Sequence, residues 1–344
     1  MRLTRAVPLR TTPTVSVVVP CHNYGHFLPD AVSSALDQPG LDLEVVVVDD
    51  ASTDDSADVA RRLAARDDRV RVLVHRANRG HIATYNDGLA EARGDYVVLL
   101  SADDLLTPGS LTRSVALLER HPAVTLAYGA PVSFTGTPPV PTTRVTGWSL
   151  WPGRTWLRRV CATARNPIVN PEAVLRRSVL DEVGGYDPRH PFAADLLLWM
   201  QAARRGDVGR VNGAHQALYR VHGQNMTTTD FAGVLTNQRT VHAAFEELFA
   251  DGADDDLRRT ARRAIATEAV REARMAQAAG DRATLDGLAD LALTAYPSIT
   301  GTRGWRALHR HPSGPASALE RRVLTSSHAL RWSARSRRWR LVGT

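Results

Sequence analysis

VVLLSADDLLTP, residues 97–108, sets four apolar residues almost directly against two adjacent carboxylates, Asp103 and Asp104. The apolar run is short and bounded by turn residues, the pattern of a strand buried on both faces. It breaks off where negative charge is most concentrated. Two neighbouring carboxylates repel each other, so either something positive meets them or the pair is a solvated turn, a role for which Asp is well suited.

Similar runs precede it. VSVVVP (15–20), EVVVVD (44–49) and VRVLVH (70–75) read as strands, and 96–100 as a fourth. Helical patterns separate them: residues 29–38, with a proline in the first turn; a segment to about 66 with Ser52, Thr53 and Asp54 as N-cap candidates; 82–92; and 108–121. Strands alternating with helices predict a doubly wound α/β fold with a mostly parallel sheet. Residues 131–153, rich in Pro, Thr and Gly, read as a long loop or linker. A helix near 155–164, a strand-like EAVLRR (172–177) and an amphipathic segment at 194–204 follow, and residues 231–296 are helical throughout. In that stretch MAQAAGDRATLDGLADLALTAYP (275–297) predicts one antiparallel helix pair. The resulting division is an arm at 1–13, a sheet domain at 14–230, a helical region at 231–300 and a tail at 301–344.

Composition narrows the class. Of 344 residues 43% are hydrophobic, which fits a globular chain. No stretch reaches the roughly 18 apolar residues of a membrane span, and the N-terminus lacks the apolar block of a secretory signal, which predicts a cytoplasmic protein. Cys21 and Cys161 are too few for a disulfide framework or a Cys-based metal site. All 43 cations are arginine. The absence of lysine excludes a P-loop and a receiver domain, and no G-x-G-x-x-G follows the first strand. Charge is concentrated in residues 301–344, which hold ten Arg and one acid, Glu320, for a net +9. Trp332 and Trp339 punctuate that tail, and Leu319, Val323, Leu330 and Ala334 share one helical face. The pattern predicts peripheral contact with an anionic membrane, at the inner face of the plasma membrane, rather than nucleic-acid binding.

Ligands of an open α/β sheet bind outside the carboxyl ends of its strands. The first strand ends in Pro20-Cys21-His22-Asn23-Tyr24, the second in Asp49-Asp50-Ala51-Ser52 and the fourth in Ser101-Ala102-Asp103-Asp104. A rim of acids there suits a divalent cation and ribose hydroxyls. Taken one at a time, the same acids could be caps and turn residues.

VSVVVPCHNYGHFLPDAVSSALDQ, EVVVVDDASTDDS, NRGHIATYNDGLAEARGDYVVLLSADD and FAADLLLWMQAA together resemble the ordered blocks of family 2 glycosyltransferases, over about residues 14–225. The resemblance implies a GT-A fold and transfer of a sugar, with inversion, from a nucleotide-diphosphate donor to a carbohydrate or lipid-linked acceptor hydroxyl, as in cell-envelope synthesis. It also implies a divalent cation, Mn or Mg. By the same resemblance Pro20, Asn23 and Asp50 line the nucleotide pocket, Arg79 borders the diphosphate, and Asp103 and Asp104 match the metal and ribose acids of the Asp-x-Asp motif. Asp195 matches the catalytic base, and His222, in YRVHGQNMT, the histidine that approaches the metal. Two positions depart from the family: Ser101 replaces the first acid of the motif, and Ala194 replaces the acid before Asp195. They leave open an inactive nucleotide-binding or scaffold module of the same fold, and Asp195 has a plainer reading as a helix N-cap.

Overall fold

A computed structural model describes residues 1–226 and 233–309. Most of the basic tail, including Trp332, Trp339 and the face read as lipid-facing, lies outside the described residues, as does the expected boundary at 230. The chain divides into two compact units, Met1–Trp156 with Ile168–Gly223, and Leu157–Pro167 with Gln224–Thr344.

The first unit is the sheet domain. Strands β1 (Arg2–Thr4), β2 (Thr14–Cys21), β3 (Asp42–Asp49), β4 (Val70–Val74) and β5 (Tyr96–Leu99) are interleaved with helices α1 (Leu28–Leu36), α2 (Ser56–Ala64) and α3 (His81–Glu91). β2, β3, β4 and β5 are mutually parallel, with Cys21 opposite Asp49 and Asp49 opposite Val74. Val17, Val18, Val19 and Val45 to Val48 are at most 1% exposed, which is why these strands read as unbroken apolar runs instead of alternating ones. The register brings the carboxyl ends of β2, β3 and β4 level.

After β5 come β6 (Leu105–Leu106), α4 (Ser110–Arg120), β7 (Val124–Phe134), β8 (Gly147–Trp151), α5 (Gly153–Thr163), a 3-10 turn at Asn170–Glu172, β9 (Val174–Arg176), α6 (Arg177–Val183), α7 (Ala194–Arg205) and β10 (Asp207–Arg220). The sheet runs in the order β1-β8-β10-β7-β9-β5-β2-β3-β4. β9 lies antiparallel between β5 and β7, so the sheet is mostly, not wholly, parallel. β6 is a two-residue strand, yet it decides the site: Leu105 pairs with Leu218 and Leu106 with Ala217 of β10, in antiparallel register. That pairing carries the residues before Leu105 alongside those after Leu218.

Three expectations change. The N-terminal arm contributes a strand, since Arg2 to Thr4 pair with β8. The loop expected over 131–153 shrinks to 135–146, because Pro131 and its successors continue β7 beside β10. A proline lacks the donor a ladder needs, and the register slips between His215 and Ala217, opposite Pro131. Finally, residues 157–167 fall with the second unit, in which Arg165 forms an ion pair with Glu268.

The second unit is helical: α8 (Val234–Leu248), α9 (Asp255–Ala279), α10 (Arg282–Ala295) and α11 (Arg303–His309). The expected pair is α9 and α10. Gly280 ends α9 at φ +80°, and the Asp281 carboxylate accepts the Thr284 N–H to cap α10. Within α10, Gly287 gives α8 room, since a Cβ there would lie 2.4 Å from a Leu235 methyl.

Helix α3 lies close on the sheet. A Cβ on Gly88 would sit 2.4 Å from Val18 Cγ1 and 2.9 Å from Val48 Cγ2. Gly88→Ala should therefore overpack this contact, at a cost of about 1–3 kcal/mol despite the better helix propensity of Ala. A denaturant midpoint equal to or above that of the wild type would contradict the packing described.

Candidate active site at the carboxyl rim of the sheet

The tips of β2 and β3 are held in strained backbone. Asn23 has φ 60° and Ala51 φ 53°. Asn tolerates the left-handed region, whereas for Ala it costs about 1–2 kcal/mol. Local bonds offset the strain at Asn23. Its N–H donates to Ser52 Oγ at 2.9 Å, and its side-chain oxygen accepts the Thr53 N–H at 2.7 Å. His22 Nδ1 lies 2.9 Å from the Asp50 carbonyl oxygen, and its Nε2 lies 3.3 Å from the amide nitrogens of both Asn23 and Asn78. Pro20 sits one residue further back, within β2 and opposite Val48.

Asp50 is 3% exposed and organises this corner. Its Oδ1 accepts from His75 Nδ1 at 2.8 Å and from the Arg79 N–H at 2.8 Å, while Oδ2 accepts the Gly80 N–H at 3.0 Å. Burial works against the charge. The bonds from His75, Arg79, Thr84 and Gly80 outweigh it and hold the carboxyl below its ordinary value. On its other side the His75 ring reaches Asp87 at 3.1 Å, and Asp87 also pairs with the half-exposed Arg79 guanidinium. Asp50 thus fixes the entry to α3.

Asp103 and Asp104 follow β5, and Arg220 meets both. Its backbone N–H donates to Asp104 Oδ1 at 2.8 Å and its Nε to the Asp103 carbonyl at 2.9 Å. The guanidinium is capped by the rings of Phe27 and Phe134, at 4.5 and 4.7 Å from their centroids. Burial first, and the charge of Asp103 second, push the Asp104 carboxyl well above its ordinary value, against the pull of Arg220. Asp104 is 1% exposed, so its first task is to anchor β10. Asp103 Oδ2 instead faces His222 Nε2 at 3.0 Å, and the His222 ring rests against Tyr24 and Phe27.

Asp195 stands on a different element. The N-cap of α7 is Ala193, so Asp195 lies inside the first turn and is not the cap. One of its oxygens accepts the Leu196 N–H of the same turn at 2.7 Å. Tyr85 stands on α3 with its ring edge to face against those of His81 and Tyr186. Burial raises the Tyr85 phenol well above its ordinary value, and the charges of Asp195, Asp103 and Asp104 raise it further.

The sequence profile of glycosyl transferase family 2 matches residues 16–184, a span that includes Pro20, Asn23, Asp50, Arg79, Asp103 and Asp104. These residues form a family 2 glycosyltransferase domain. An uncharacterised glycosyltransferase of Haemophilus influenzae is 26% identical over 227 residues, 64% of this chain and 69% of that one. A putative teichuronic acid biosynthesis glycosyltransferase, TuaG of Bacillus subtilis, is 32% identical over 127 residues, 37% of this chain and 50% of its own length. Five other curated relatives are matched over only 31% to 46% of their length. Among solved structures, S. aureus TarS in complex with UDP superposes with a TM-score of 0.56 at 17% identity, over 87% of this chain and 91% of that one. The mannosyltransferase PcManGT of Pyrobaculum calidifontis, in complex with GDP-Man and Mn2+, gives 0.53 at 19% identity, over 98% and 86%. At such identities the likeness is one of fold, and that fold is GT-A.

The first compact unit brings Asp103 beside His222, and Asn23 beside Asp50 through Ser52 and His22. Arg220 was missed from sequence. It lay in the quoted YRVHGQNMT, two residues before His222, and an arginine next to a candidate site could have been asked what it neutralises. The Asp50 network yields a test. Asn at position 50 presents donors where two donors already point, so Asp50→Asn should cost about 1–3 kcal/mol at pH 7. Because the folded carboxyl lies below its ordinary 3.8, its contribution is present above that value and lost as pH falls below it. The stability gap between variant and wild type, measured by urea denaturation at pH 7 and pH 3, should narrow on acidification. A constant gap would refute the assignment.

Proposed function

We propose that this protein transfers a sugar from a nucleotide-diphosphate donor to an acceptor hydroxyl with inversion at the anomeric carbon. The observation that carries the reading is the 3.0 Å pairing of Asp103 with His222 at the carboxyl rim of a sheet whose residues 16–184 match the family 2 profile. Asp195 is the general base. A hydroxyl is a poor nucleophile at neutral pH, and a positioned carboxylate that removes its proton as the bond forms contributes about 10² to 10⁴ in rate. The nucleotide lies against Pro20, Asn23, His22 and the Asp50 corner. Arg79 serves the leaving diphosphate. Its exposed pair with Asp87 is worth about 0–1 kcal/mol and yields readily to a stronger anion.

The donor set fits a divalent cation. Asp103 offers a carboxylate and His222 an imidazole, a pairing that suits Mn2+ better than Mg2+. Among the described residues no three His, Cys, Asp or Glu side chains are gathered to hold an ion, so the diphosphate would supply most of the remaining ligands. Such a cation, when bound, supplies Lewis-acid stabilisation of the departing diphosphate. The Mn2+ and GDP-Man of the mannosyltransferase and the UDP of TarS support a nucleotide-sugar donor without fixing its base. The teichuronic acid relative supports an envelope polymer or its lipid-linked precursor as acceptor. For an acceptor at the membrane the +9 tail is the proposed contact, and no described helix is long and apolar enough to cross a bilayer.

Thermal shift with UDP-, GDP- and dTDP-sugars plus Mn2+ should single out one donor, since a ligand stabilises the state it binds. Asp103→Ala should abolish the Mn2+-dependent part of that shift. Asp195→Asn should keep the shift and lose at least 10²-fold in turnover. Donor binding with no turnover by the wild type on any acceptor would favour the inactive module that Ser101 and Ala194 leave open. Sedimentation with anionic vesicles should fall steeply with salt and be lost when residues 310–344 are deleted. Equal sedimentation of the two proteins would remove the tail from this account.

A further inference from the structure

Helix α6 ends at Gly184, and the chain leaves it through two successive left-handed residues, Gly184 at φ +84° and Gly185 at φ +85°. Glycine adopts that backbone at little cost. Gly185 is also the residue that fits, since a Cβ there would lie 2.6 Å from the Asn86 side-chain oxygen of α3. The turn delivers Tyr186 to that side chain. Asn86 donates to the Tyr186 carbonyl at 2.7 Å and accepts the Tyr186 N–H at 2.8 Å. One amide thus meets both polar groups of one residue, the pair of bonds that a neighbouring strand residue makes in an antiparallel ladder. An amide offers donor and acceptor side by side, whereas a carboxylate of the same shape offers acceptors only.

The position set at Tyr186 is passed along the chain. The Asp187 carbonyl accepts the His190 N–H at 3.1 Å, the His190 carbonyl accepts the Ala193 N–H at 2.9 Å, and the Ala193 carbonyl accepts the Leu197 N–H at 3.0 Å. Consecutive turns therefore lead from the residue after the clasp into the first turn of α7, where Asp195 stands. Helix α3 holds the same segment a second time, because His81 Nε2 lies 3.0 Å from the Pro191 carbonyl oxygen. A carbonyl only accepts, so that nitrogen carries the ring proton. The Tyr186 hydroxyl donates to Asn170 Oδ1 at 3.1 Å, which secures the side chain and leaves the backbone to Asn86.

We propose that Asn86 is a positioning residue for Asp195: by clasping the Tyr186 backbone it sets the segment 184–193, and with it the place of the Asp195 carboxylate at the start of α7. The proposal rests on the reading of Asp195 as the general base. Asn86 then acts on the rate of transfer and not on the binding of the donor.

Asn86→Ala removes both bonds. Asn86→Asp keeps the shape and one acceptor, and sets an oxygen against the Tyr186 carbonyl. With the sugar nucleotide that the wild type turns over, chosen from the UDP-, GDP- and dTDP-sugar panel with Mn2+, each variant should lose about 10- to 100-fold in kcat, the scale of a misplaced reacting group. The donor KM, and the affinity for the corresponding nucleoside diphosphate titrated with Mn2+, should stay at the wild-type value. A double-mutant cycle separates positioning from general support of the fold. In an Asp195→Asn background Asn86→Ala should cost little further in kcat, because a group already lost cannot be misplaced. Rates are compared at a temperature where circular dichroism shows each variant folded, and if the Ala variant does not fold, Asn86→Asp runs the same cycle. Wild-type kcat in the Asn86 variants while Asp195→Asn is impaired overturns the proposal alone. So does a loss of the same size in both backgrounds, or a matching loss of nucleoside diphosphate affinity. Wild-type turnover by Asp195→Asn overturns the base reading and the proposal with it, as does a wild type that turns over no member of the panel.

Discussion

Two adjacent carboxylates at the end of a buried strand persist only where the fold brings a cation to them. Arg220 does this from a position 116 residues further along the chain. It reaches Asp103 through a carbonyl and Asp104 through a carboxylate, and two aromatic faces cover its guanidinium. The two-residue strand β6 makes the meeting possible, because its antiparallel pairing with β10 sets Asp104 opposite the end of that strand. Replacing Arg220 would remove the nearby positive charge that favours the buried Asp104 carboxylate, while the backbone N–H bond to Asp104 would remain. The same pairing delivers His222, two residues on, to Asp103. One structural constraint thus supplies both the electrostatic support of the acids and the imidazole that joins them.

A second support is local. The tips of β2 and β3 accept left-handed backbone at Asn23 and Ala51, and the bonds around Asn23, Ser52 and Asp50 hold that geometry. Strain of this kind persists only where its surroundings over-determine it, and it is commonest at ligand sites. Here it turns the chain sharply outward at the rim, so that short loops and not long flexible ones shape the corner in which a nucleotide would lie. Asp50 makes the difference between the bland and the functional reading instructive. It is a turn acid and also the organiser of the corner, so the two readings were never exclusive.

Helix α3 links these supports to the segment that leads to Asp195. It begins at the Asp50 corner, packs through Gly88 onto β2 and β3, and fastens the segment leading to Asp195 through His81 and Asn86. A rigid element that touches the sheet core, the Asp50 corner and the segment before Asp195 can keep the proposed donor and acceptor sides in register. Positioning of this sort is a large part of what an enzyme contributes to a bimolecular reaction.

The apolar runs at 15–20, 44–49, 70–75 and 97–100 by themselves determined the parallel half of the sheet, because strands buried on both faces leave no alternation to misread. The turn residues after them marked the rim, and the acids there marked the candidate site. Pro131 misled the reading of the next segment, since a proline argues against a strand and only the irregular register with β10 shows how one is accommodated. The arm at Arg2 to Thr4 carries no strand signal strong enough to be seen without its partner β8. Asp104 could not be told from Asp103 in sequence, since adjacent residues of one type differ only in which way each side chain turns. Arg220 and Asn86 were legible as residues and illegible as supports of the candidate site. Their roles depend on contacts between segments far apart in the chain, and local propensity and hydrophobic period, which act over a few residues, hold no record of which distant segments will meet.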